Sequence, residues 1–508
     1  MTGRKMKKSF VMLLVLLLFA VTALAGCSSS KKNTSPTDTV KNTTSTPSST
    51  ITPAVDTSKF VTLTWYMPPP LDPRPNEEKV MKYLNAMLKE KLNVNLVFKF
   101  VDSATYAQRI KVAAAAGEEF DIFTDLNILG FSQIVSSGMA FELDDLINKY
   151  GQDIVKKVPE KAWKAVTSKG KKYGIANPLP WVTSYNFAFR KDLVDKYKID
   201  YAKIHNYKDL EPVLKMLKEK EPDLIPFVGN VFEPQTMDNI STTIGYDTTD
   251  GKWKSHLDNK GWLDMVKLKH DWYVKGYMPK KVIADADAVT EFKTGRYATA
   301  GYHVYDASFV KTSTDFGTPM VASLQDLKTV VTGSSIRIVV SHISKTSKNP
   351  ERAMMLLNLL YADKNVFNKF AYGVEGDDWD YVSGKGTDNP TVKTKDKLGW
   401  AMWHPWIANL WDQWPSNWNS QEVLDGLKSA IDKADYSPLS GFVFDSTPVK
   451  KELAQLDAFA PELKIIYVAN DVDSKIAEYK EKFAKAGLDV VLAEVQKQVD
   501  AWKATNVK

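Results

Sequence analysis

The chain has 508 residues, of which 44% are hydrophobic and 25% charged, and its formal net charge is +6. Much of that charge lies in the N-terminal leader and tether, and elsewhere Lys is mixed with Asp and Glu, so the composition does not indicate a nucleic-acid ligand. A single cysteine excludes an internal disulfide and a cysteine-based metal site. The 14 Trp and 21 Tyr are a heavy load of aromatic side chains, which fill cores and also stack on sugar rings.

The first residues have the pattern of an export signal. A basic stretch at 4–8 precedes an apolar stretch at 10–23 that is too short for a comfortable membrane span. Leu24-Ala25-Gly26-Cys27 then resembles the lipobox of bacterial lipoproteins, whose new N-terminal cysteine receives diacylglycerol. We therefore expect residues 1–26 to be a signal peptide, and we expect a lipid on Cys27 to anchor the protein to the extracellular face of the cell membrane.

The segment after the lipidation site predicts a spacer. Residues 27–57 consist almost entirely of Ser, Thr, Pro, Asn, Lys and Asp, without the apolar periodicity that a packed element needs. We interpret this segment as a disordered tether. The remaining body is too long for one core and fits two lobes, and it contains no second apolar run of membrane-spanning length.

The beginning of the body alternates strand and helix patterns. Apolar periodicity and turn residues predict, in order, a strand at 60–66, a helix at 77–92, a strand at 94–100, a helix at 106–116, a short buried strand at 120–124 and a helix from 131. This β-α-β-α-β order predicts a mainly parallel sheet with helices on both faces.

Several segments of the body resemble family 1 extracellular solute-binding proteins. A helix closed by Gly117 leads through two acidic residues into the third predicted strand, as in the N-terminal lobe of that family. Further similar segments, in the family's order, lie at 138–146, 172–176, 189–193 and 292–298. The C-terminal segments that resemble the large lipoprotein branch of the family, with LipO- or LplA-like proteins, are 372–376, 448–452, 486–489 and 494–498.

This resemblance implies an α/β, two-lobed periplasmic-binding-protein-like fold (type II). Each lobe would be a mainly parallel sheet flanked by helices, with a ligand cleft between the lobes. Residues 58–178 with 297–345 would form the N-terminal lobe, and 179–296 with 346–508 the C-terminal lobe. The implied function is that of a monomeric receptor that captures an oligosaccharide by lobe closure and delivers it to ABC permease subunits in the membrane.

Ligand-binding residues are expected in loops that follow strands, where α/β sheets collect their ligands. In the first lobe this rule selects Trp65, Tyr66, Asp125 and Asn127. After the return strand it selects Tyr302 and His303, together with Tyr305. Trp65 has an alternative interpretation as a core residue, because its neighbours in the strand are apolar.

The second half of the chain adds aromatic and acidic candidates. Trp181 and Tyr185 lie just past the first expected crossover. The densest aromatic cluster contains six tryptophans between 400 and 418, and from it we select Trp403 and Trp406, with packing in the core as the alternative for the cluster. Glu375 lies in a glycine-flanked turn that can present a side chain. The simplest interpretation of Arg190 and Asp192 is that they begin a helix and form an ion pair.

Signals of catalysis are weak. The six histidines are scattered without metal-ligand spacing, and neither a nucleophile elbow nor a phosphate loop is present. Residues 247–251 resemble a calcium loop only in their first positions. We therefore predict no enzyme activity, no metal and no cofactor. The alternatives left open are a secreted carbohydrate-active enzyme, which would need two carboxylates across a scissile bond, and a peptide receptor.

Overall fold

The computed structural model describes residues 57–69, 73–182, 184–283, 288–304, 316–417 and 419–506, except for the side chains of residues 184, 289, 303 and 304. Two larger sheets, a three-stranded sheet and three two-stranded sheets organise this part of the chain. The predicted signal peptide, Cys27 and the tether up to residue 56 lie outside the described residues.

The first sheet contains five strands, β1 (Val61–Met67), β2 (Val94–Phe100), β3 (Ile122–Asp125), β6 (Ile175–Ala176) and β15 (Val340–Ile343). Their spatial order is β2-β1-β3-β15-β6, with β1 to β3 parallel and β15 antiparallel to both of its neighbours. Val61, Leu63 and Trp65 alternate with more exposed residues and point into the core, which is the period expected of a strand. The order of elements predicted for this half of the chain is confirmed.

The core of the first sheet includes helices from far along the chain. Helices Pro350–Ala362 and Lys364–Tyr372 bury their apolar residues in the same cluster as β1, and the cluster extends to Ile431. Helices with apolar residues on most sides must be covered on most sides. The lobe boundary expected from the sequence is therefore corrected, because much of 346–431 packs on the first sheet.

The second sheet contains β7 (Ser184–Arg190), β8 (Ile225–Gly229), β12 (Tyr297–Val304) and β13 (Met320–Leu324). Its order is β13-β7-β12-β8, and β7 runs antiparallel to both β13 and β12. β12 was expected to return to the first lobe, but it pairs with β7 and β8. The physical reason is the short turn at 293–296 after helix Ala288–Phe292, which delivers the chain to the adjacent strand.

A three-stranded antiparallel sheet lies next in sequence to β8. It contains β9 (Met237–Asn239), β10 (Ile244–Asp247) and β11 (Lys252–Ser255), in the order β11-β10-β9. The C-terminal helices Val472–Lys485 and Leu488–Asn506 share buried clusters with this sheet and its flanking residues. The last part of the chain therefore packs with the three-stranded sheet.

The chain passes between the two larger sheets at two places in the described ranges, between β6 and β7 and between β13 and β15. A third crossover follows Ile431 and leads from the core of the first sheet to the three-stranded sheet. Two of these crossovers are tied together, because β14 (Val330–Val331) pairs in parallel with β18 (Asp435–Tyr436).

The other strands are β4 (Thr167–Ser168), β5 (Lys171–Lys172), β16 (Trp379–Ser383) and β17 (Thr391–Thr394). The other α-helices are Glu77–Leu92, Ser103–Ala115, Phe131–Ser136, Asp144–Tyr150, Gln152–Lys157, Glu160–Ala165, Lys191–Tyr197, Tyr207–Lys220, Lys260–Val274, Gly333–Ile336, Gln421–Asp432, Lys450–Asp457 and Ala460–Leu463. Short 3-10 helices occur at Tyr201–Lys203, His256–Asp258, His404–Trp406, Leu410–Asp412, Thr447–Val449 and Ile466–Val468. Within the described ranges, no helix combines the length and apolar character needed to span a bilayer.

Candidate functional site

The topology brings the carboxyl edges of the two larger sheets together. β6 ends at the carboxyl edge of the first sheet, and β7 begins shortly afterwards at the edge where β8, β12 and β13 end. The second crossover leaves the end of β13 and enters β15 beside the end of β3. Both crossovers thus join one carboxyl edge to the other, and ligands of open α/β sheets bind at such edges.

Buried polar atoms without partners collect at the edge of the second sheet. Asn186 is fully buried, yet neither its amide nitrogen nor its amide oxygen has a hydrogen-bond partner among the described residues. The hydroxyl of Ser323 on β13 and carboxylate atom Oε2 of Glu233, which follows β8, are also unpaired there. In the strand register Asn186 pairs with Tyr302 on one side and with Leu324 on the other.

Unpaired buried groups of this kind are costly, since each gives up water without gaining another partner, at about 1–3 kcal/mol. The register places Asn186 and Ser323 on opposite faces of the sheet, so a ligand with hydroxyl or amide groups would have to reach around the strand ends to supply the missing partners. The sequence analysis selected Tyr185 as a ligand-binding candidate but not its neighbour Asn186. An amide can be recognised as buried and unpaired only when its tertiary surroundings are known.

Two of the predicted aromatic residues lie at the same edge. The ring of Tyr185 packs 4.3 Å from that of Phe232, and the half-buried ring of Tyr302 packs edge-on at 5.2 Å from Phe316. The backbone of His303 belongs to β12, but its side chain, like all of Tyr305, lies outside the described residues. Of the two rings, Tyr302 is half-buried and offers aromatic surface at this edge, whereas Tyr185 is only 8% exposed.

Burial raises the pKa of Glu233 to about 7, from an ordinary value of 4.5. The folded protein then retains a proton that the unfolded chain releases, so the free energy of unfolding falls as pH rises from about 4.5 to 7.

We expect Glu233→Gln to remove this decline and to be more stable than the wild type at pH 8 by roughly 1–3 kcal/mol. Denaturant unfolding between pH 5 and 8 measures the free energy of unfolding of both proteins. Glu142→Gln, at an exposed residue, serves as the control. Identical pH profiles for wild type and Glu233→Gln would contradict the assignment.

The tryptophan cluster divides into core and surface members. Trp400 and Trp414 are fully buried, whereas Trp403, Trp406 and Trp411 are half-buried. Two hydrogen bonds fix the backbone of this segment to the first sheet: the Thr124 hydroxyl on β3 donates to the Trp406 carbonyl (3.3 Å), and the Asn177 amide after β6 donates to the Pro405 carbonyl (2.7 Å). Trp403 and Trp406 thus lie near the carboxyl edge of the first sheet. Trp418 lies outside the described residues.

Trp181 lies in the first crossover, between the two edges. Its ring is 4% exposed and belongs to the buried cluster of the first sheet, but its indole N–H has no hydrogen-bond partner among the described residues. A buried indole usually finds an acceptor. An acceptor on a ligand between the edges would satisfy it.

Trp65 and Tyr66 are placed in cores, which corrects their interpretation as ligand residues. Trp65 is fully buried, donates from its indole nitrogen to the Thr124 hydroxyl (2.9 Å) and packs 5.6 Å from the ring of Phe98. Tyr66 is 1% exposed and donates from its hydroxyl to Glu118. The alternative interpretation of Trp65 as a core residue is the one that the structure supports.

The polar candidates have different positions. Asp125 is buried and accepts from the backbone N–H groups of Ile128 and Leu129, so it holds the loop after β3 rather than facing solvent. Asn127 in that loop is exposed and has a left-handed backbone with φ 59°. Glu375 is exposed and forms an ion pair with Lys385 at 2.5 Å, and its role as a ligand residue stays a prediction.

Arg190 and Asp192 pair at the start of a helix, as the simplest interpretation of the sequence predicted.

In the loop at 247–251, which resembles the start of a calcium site, the ammonium group of Lys254 takes the place of a metal ion. The ammonium of Lys254 lies 3.1 Å from Asp247 and 2.6 Å from Asp250, and its side chain is only 15% exposed. Thr249 and Asn259 also donate to Asp247. Both carboxylates of the loop are therefore paired with the same ammonium, and Asp247 gains further hydrogen bonds, all from within the chain.

A cavity of about 580 Å³ lies beside the loop after β3 and the three-stranded sheet. Its walls come from three parts of the chain: the β3 loop with Asn127 and Phe131, the region of β9 to β11 with Asp238 and Trp253, and the segment after the third crossover with Leu439 and Phe442. Among the sequence-predicted site residues, Asn127 is the one that lines this cavity.

Two family models match the chain. Residues 74–367 match the family described as bacterial extracellular solute-binding protein. Residues 438–504 match a domain of unknown function, DUF3502. The second match covers the C-terminal helices and part of the wall of the cavity.

Individual relatives extend over most of the chain. A carbohydrate ABC transporter substrate-binding protein from Streptococcus pneumoniae serotype 4 (strain ATCC BAA-334 / TIGR4) is 28% identical over 457 residues, which cover 84% of this chain and 88% of that protein. The crystal structure of the N-glycan transport solute binding protein (NgtS) from S. pneumoniae is similar with a TM-score of 0.74, at 25% identity over 88% of this chain and 100% of that one. The structure of NgtS in complex with Man5GlcNAc gives a TM-score of 0.62, at 25% identity over 89% of this chain and 100% of that one.

Proposed function

The chain belongs to the bacterial extracellular solute-binding protein family, and on that premise we propose that it is the receptor of an ABC importer that captures an oligosaccharide between its two lobes. The observation that carries this proposal is the edge at Asn186, Ser323 and Glu233, where buried polar atoms have no partner among the described residues. Sugar hydroxyls both donate and accept hydrogen bonds, so one ligand class would satisfy all of them.

The family identified from sequence motifs and the α/β two-lobed fold of type II are both confirmed. The assignment to the LipO- or LplA-like branch stays a prediction. The relatives support a carbohydrate ligand for this chain, since one is a carbohydrate ABC transporter substrate-binding protein and another transports N-glycans. These relatives are receptors, and they favour a binding protein over the carbohydrate-active enzyme left open above.

Aromatic surface supports the same ligand class. Trp403 and Trp406 lie half-buried near one sheet edge, and Tyr185 and Tyr302 lie at the other. Sugar rings stack on such faces through their C–H groups, while hydroxyls at the ring edge reach the polar atoms. The unpaired indole N–H of Trp181 would complete the site between the edges.

Capture by closure follows because the proposed site is divided between the carboxyl edges of the two larger sheets. A ligand that contacts both edges binds the closed arrangement more tightly and so shifts the population toward it. We further propose that the lipid on Cys27 holds the receptor beside its permease, with residues 27–57 as the spacer.

The test is binding of defined glycans to the purified body. We expect Man5GlcNAc or a related neutral oligosaccharide to raise the melting temperature, since a ligand at 100 times its Kd stabilises the folded state by about 2.7 kcal/mol. Calorimetry should give a saturable isotherm, and chromatography should show that the glycan is unchanged. Glycan cleavage would contradict a receptor. No thermal shift with neutral or acidic oligosaccharides, in a cooperatively folded protein, would contradict a carbohydrate ligand and favour the peptide receptor.

A further inference from the structure

We propose that the cavity beside the β3 loop is a terminal subsite for a neutral sugar residue, and that the 438–504 region acts as its end wall and limits the length of glycan that fits. This inference rests on the proposed function and assigns a role to the C-terminal region, whose matching domain has no known function. The volume of about 580 Å³ lies within the range of roughly 300–1,000 Å³ usual for small-molecule sites.

The chain leads from the proposed ligand edge to the wall of the cavity within a few residues. β8 ends at Gly229 in the second sheet, and Glu233 follows at the edge with the unpaired polar atoms. Only a few residues later the chain forms β9, whose Asp238 lines the cavity. A glycan extended from the sheet edge would therefore reach the cavity with its next residues.

Two buried polar atoms without partners lie in the cavity wall. Asp238 is 8% exposed, and its carboxylate atom Oδ2 has no hydrogen-bond partner among the described residues. The indole N–H of Trp253 is likewise buried and unpaired. One atom accepts and the other donates, which matches the two roles of a sugar hydroxyl.

The aromatic part of the wall is held by the C-terminal region. The ring of Trp253 packs 6.2 Å from Phe442 and 5.5 Å from Tyr246. Phe442 in turn packs 6.0 Å from Trp502 on the last helix, which is not part of the cavity lining. The orientation of the Trp253 N–H thus depends on residues of the 438–504 region.

The charges around the cavity favour a neutral ligand. Asp457 accepts from the hydroxyls of Thr242 and Thr243 at 2.8 and 3.0 Å. Together with Asp238 it gives the described lining two carboxylates. Arg337 is the cation of the described lining; its guanidinium donates to the Ala165 carbonyl, lies over the ring of Phe131 and interacts electrostatically with Asp238. With two carboxylates and one guanidinium, the described lining has no excess of positive charge for an acidic sugar.

The experiment compares glycan length against single substitutions in the full-length chain. Trp253→Phe keeps an aromatic ring and removes the N–H, and Val443→Trp adds bulk to the part of the wall supplied by the 438–504 region. For both variants we expect affinity for Man5GlcNAc to fall about 5- to 10-fold while affinity for Man1GlcNAc stays at the wild-type value. Val274→Ala, at an exposed residue outside the cavity lining, should bind both glycans normally.

The outcomes separate this inference from the function on which it rests. Wild-type affinity of Trp253→Phe and Val443→Trp for both glycans would overturn the subsite and leave the receptor function intact. An equal loss of affinity for both glycans would contradict the terminal position of the subsite. If the wild-type protein bound neither glycan, both the proposed function and the subsite would be overturned.

Discussion

Replacing Asn186 with leucine is expected to stabilise the ligand-free protein and at the same time to abolish ligand binding. The side chain of Asn186 is fully buried on β7, and neither amide atom has a partner among the described residues. Leucine has a similar size and no polar atom, so the substitution removes the desolvation penalty, about 1–3 kcal/mol. The same change removes a donor and an acceptor from the proposed site, and we expect at least a 30-fold loss of affinity for the oligosaccharide.

The chain provides a matched control in Asn368. This residue is also fully buried, but its amide nitrogen donates to the carbonyls of Lys364 and Asp412, and its oxygen accepts from the backbone N–H of Trp414. Asn368→Leu leaves these partners unpaired and should destabilise the protein by at least about 2 kcal/mol. Denaturant unfolding and calorimetry of both variants provide the measurements. If Asn186→Leu lost stability as Asn368→Leu does, Asn186 would be a structural residue.

Alanine substitutions at Trp400 and Trp403 are expected to have opposite consequences. Trp400 is fully buried, donates from its indole nitrogen to the Phe370 carbonyl (2.9 Å) and packs 6.2 Å from Phe100. Its truncation leaves a large cavity and should cost about 3–5 kcal/mol of stability. Trp403 is half-buried, so Trp403→Ala should change stability much less and weaken oligosaccharide binding by roughly 1–3 kcal/mol, by analogy with the stacking of bases on aromatic rings.

Thermal unfolding and calorimetry on the two variants separate these effects. Trp181→Ala, whose ring is buried but whose N–H is unpaired, should lose both stability and affinity. Wild-type affinity of Trp403→Ala would remove this residue from the proposed site, whereas the family assignment depends on other observations.

The sequence predicted individual strands and helices better than it predicted which sheet or core each of them would join. The alternation in β1 and the helix at 77–92 follow from side-chain periodicity, and the structure has both. The pattern at 297–304 correctly predicts a strand, but it carries no information on which sheet accepts the strand, and β12 joined the second sheet. Helix Pro350–Ala362 likewise shows its apolar faces in the sequence without showing which core covers them.

The candidate site illustrates the same limit. A strand end next to apolar residues fits both a core and a cleft, so Trp65 could be settled only by its contacts with Thr124 and Phe98. The tryptophan cluster could not be divided from composition, because the burial of Trp400 depends on Phe98 and Phe100 of β2, which are far away in the chain. That Asn186 has no partner among the described residues is a property of its surroundings and leaves no trace in the local sequence.

The pairing of β14 with β18 restricts how the two halves of the receptor can swing. Val330 and Val331 are in register with Asp435 and Tyr436, and the Ser437 N–H donates to the Val331 carbonyl at 2.8 Å. Two segments joined in this way bend as one strip, whereas two independent segments would allow twisting as well. We expect rotation about a single axis across that strip, so every captured ligand would leave the outer surfaces in the same mutual orientation for the permease to recognise.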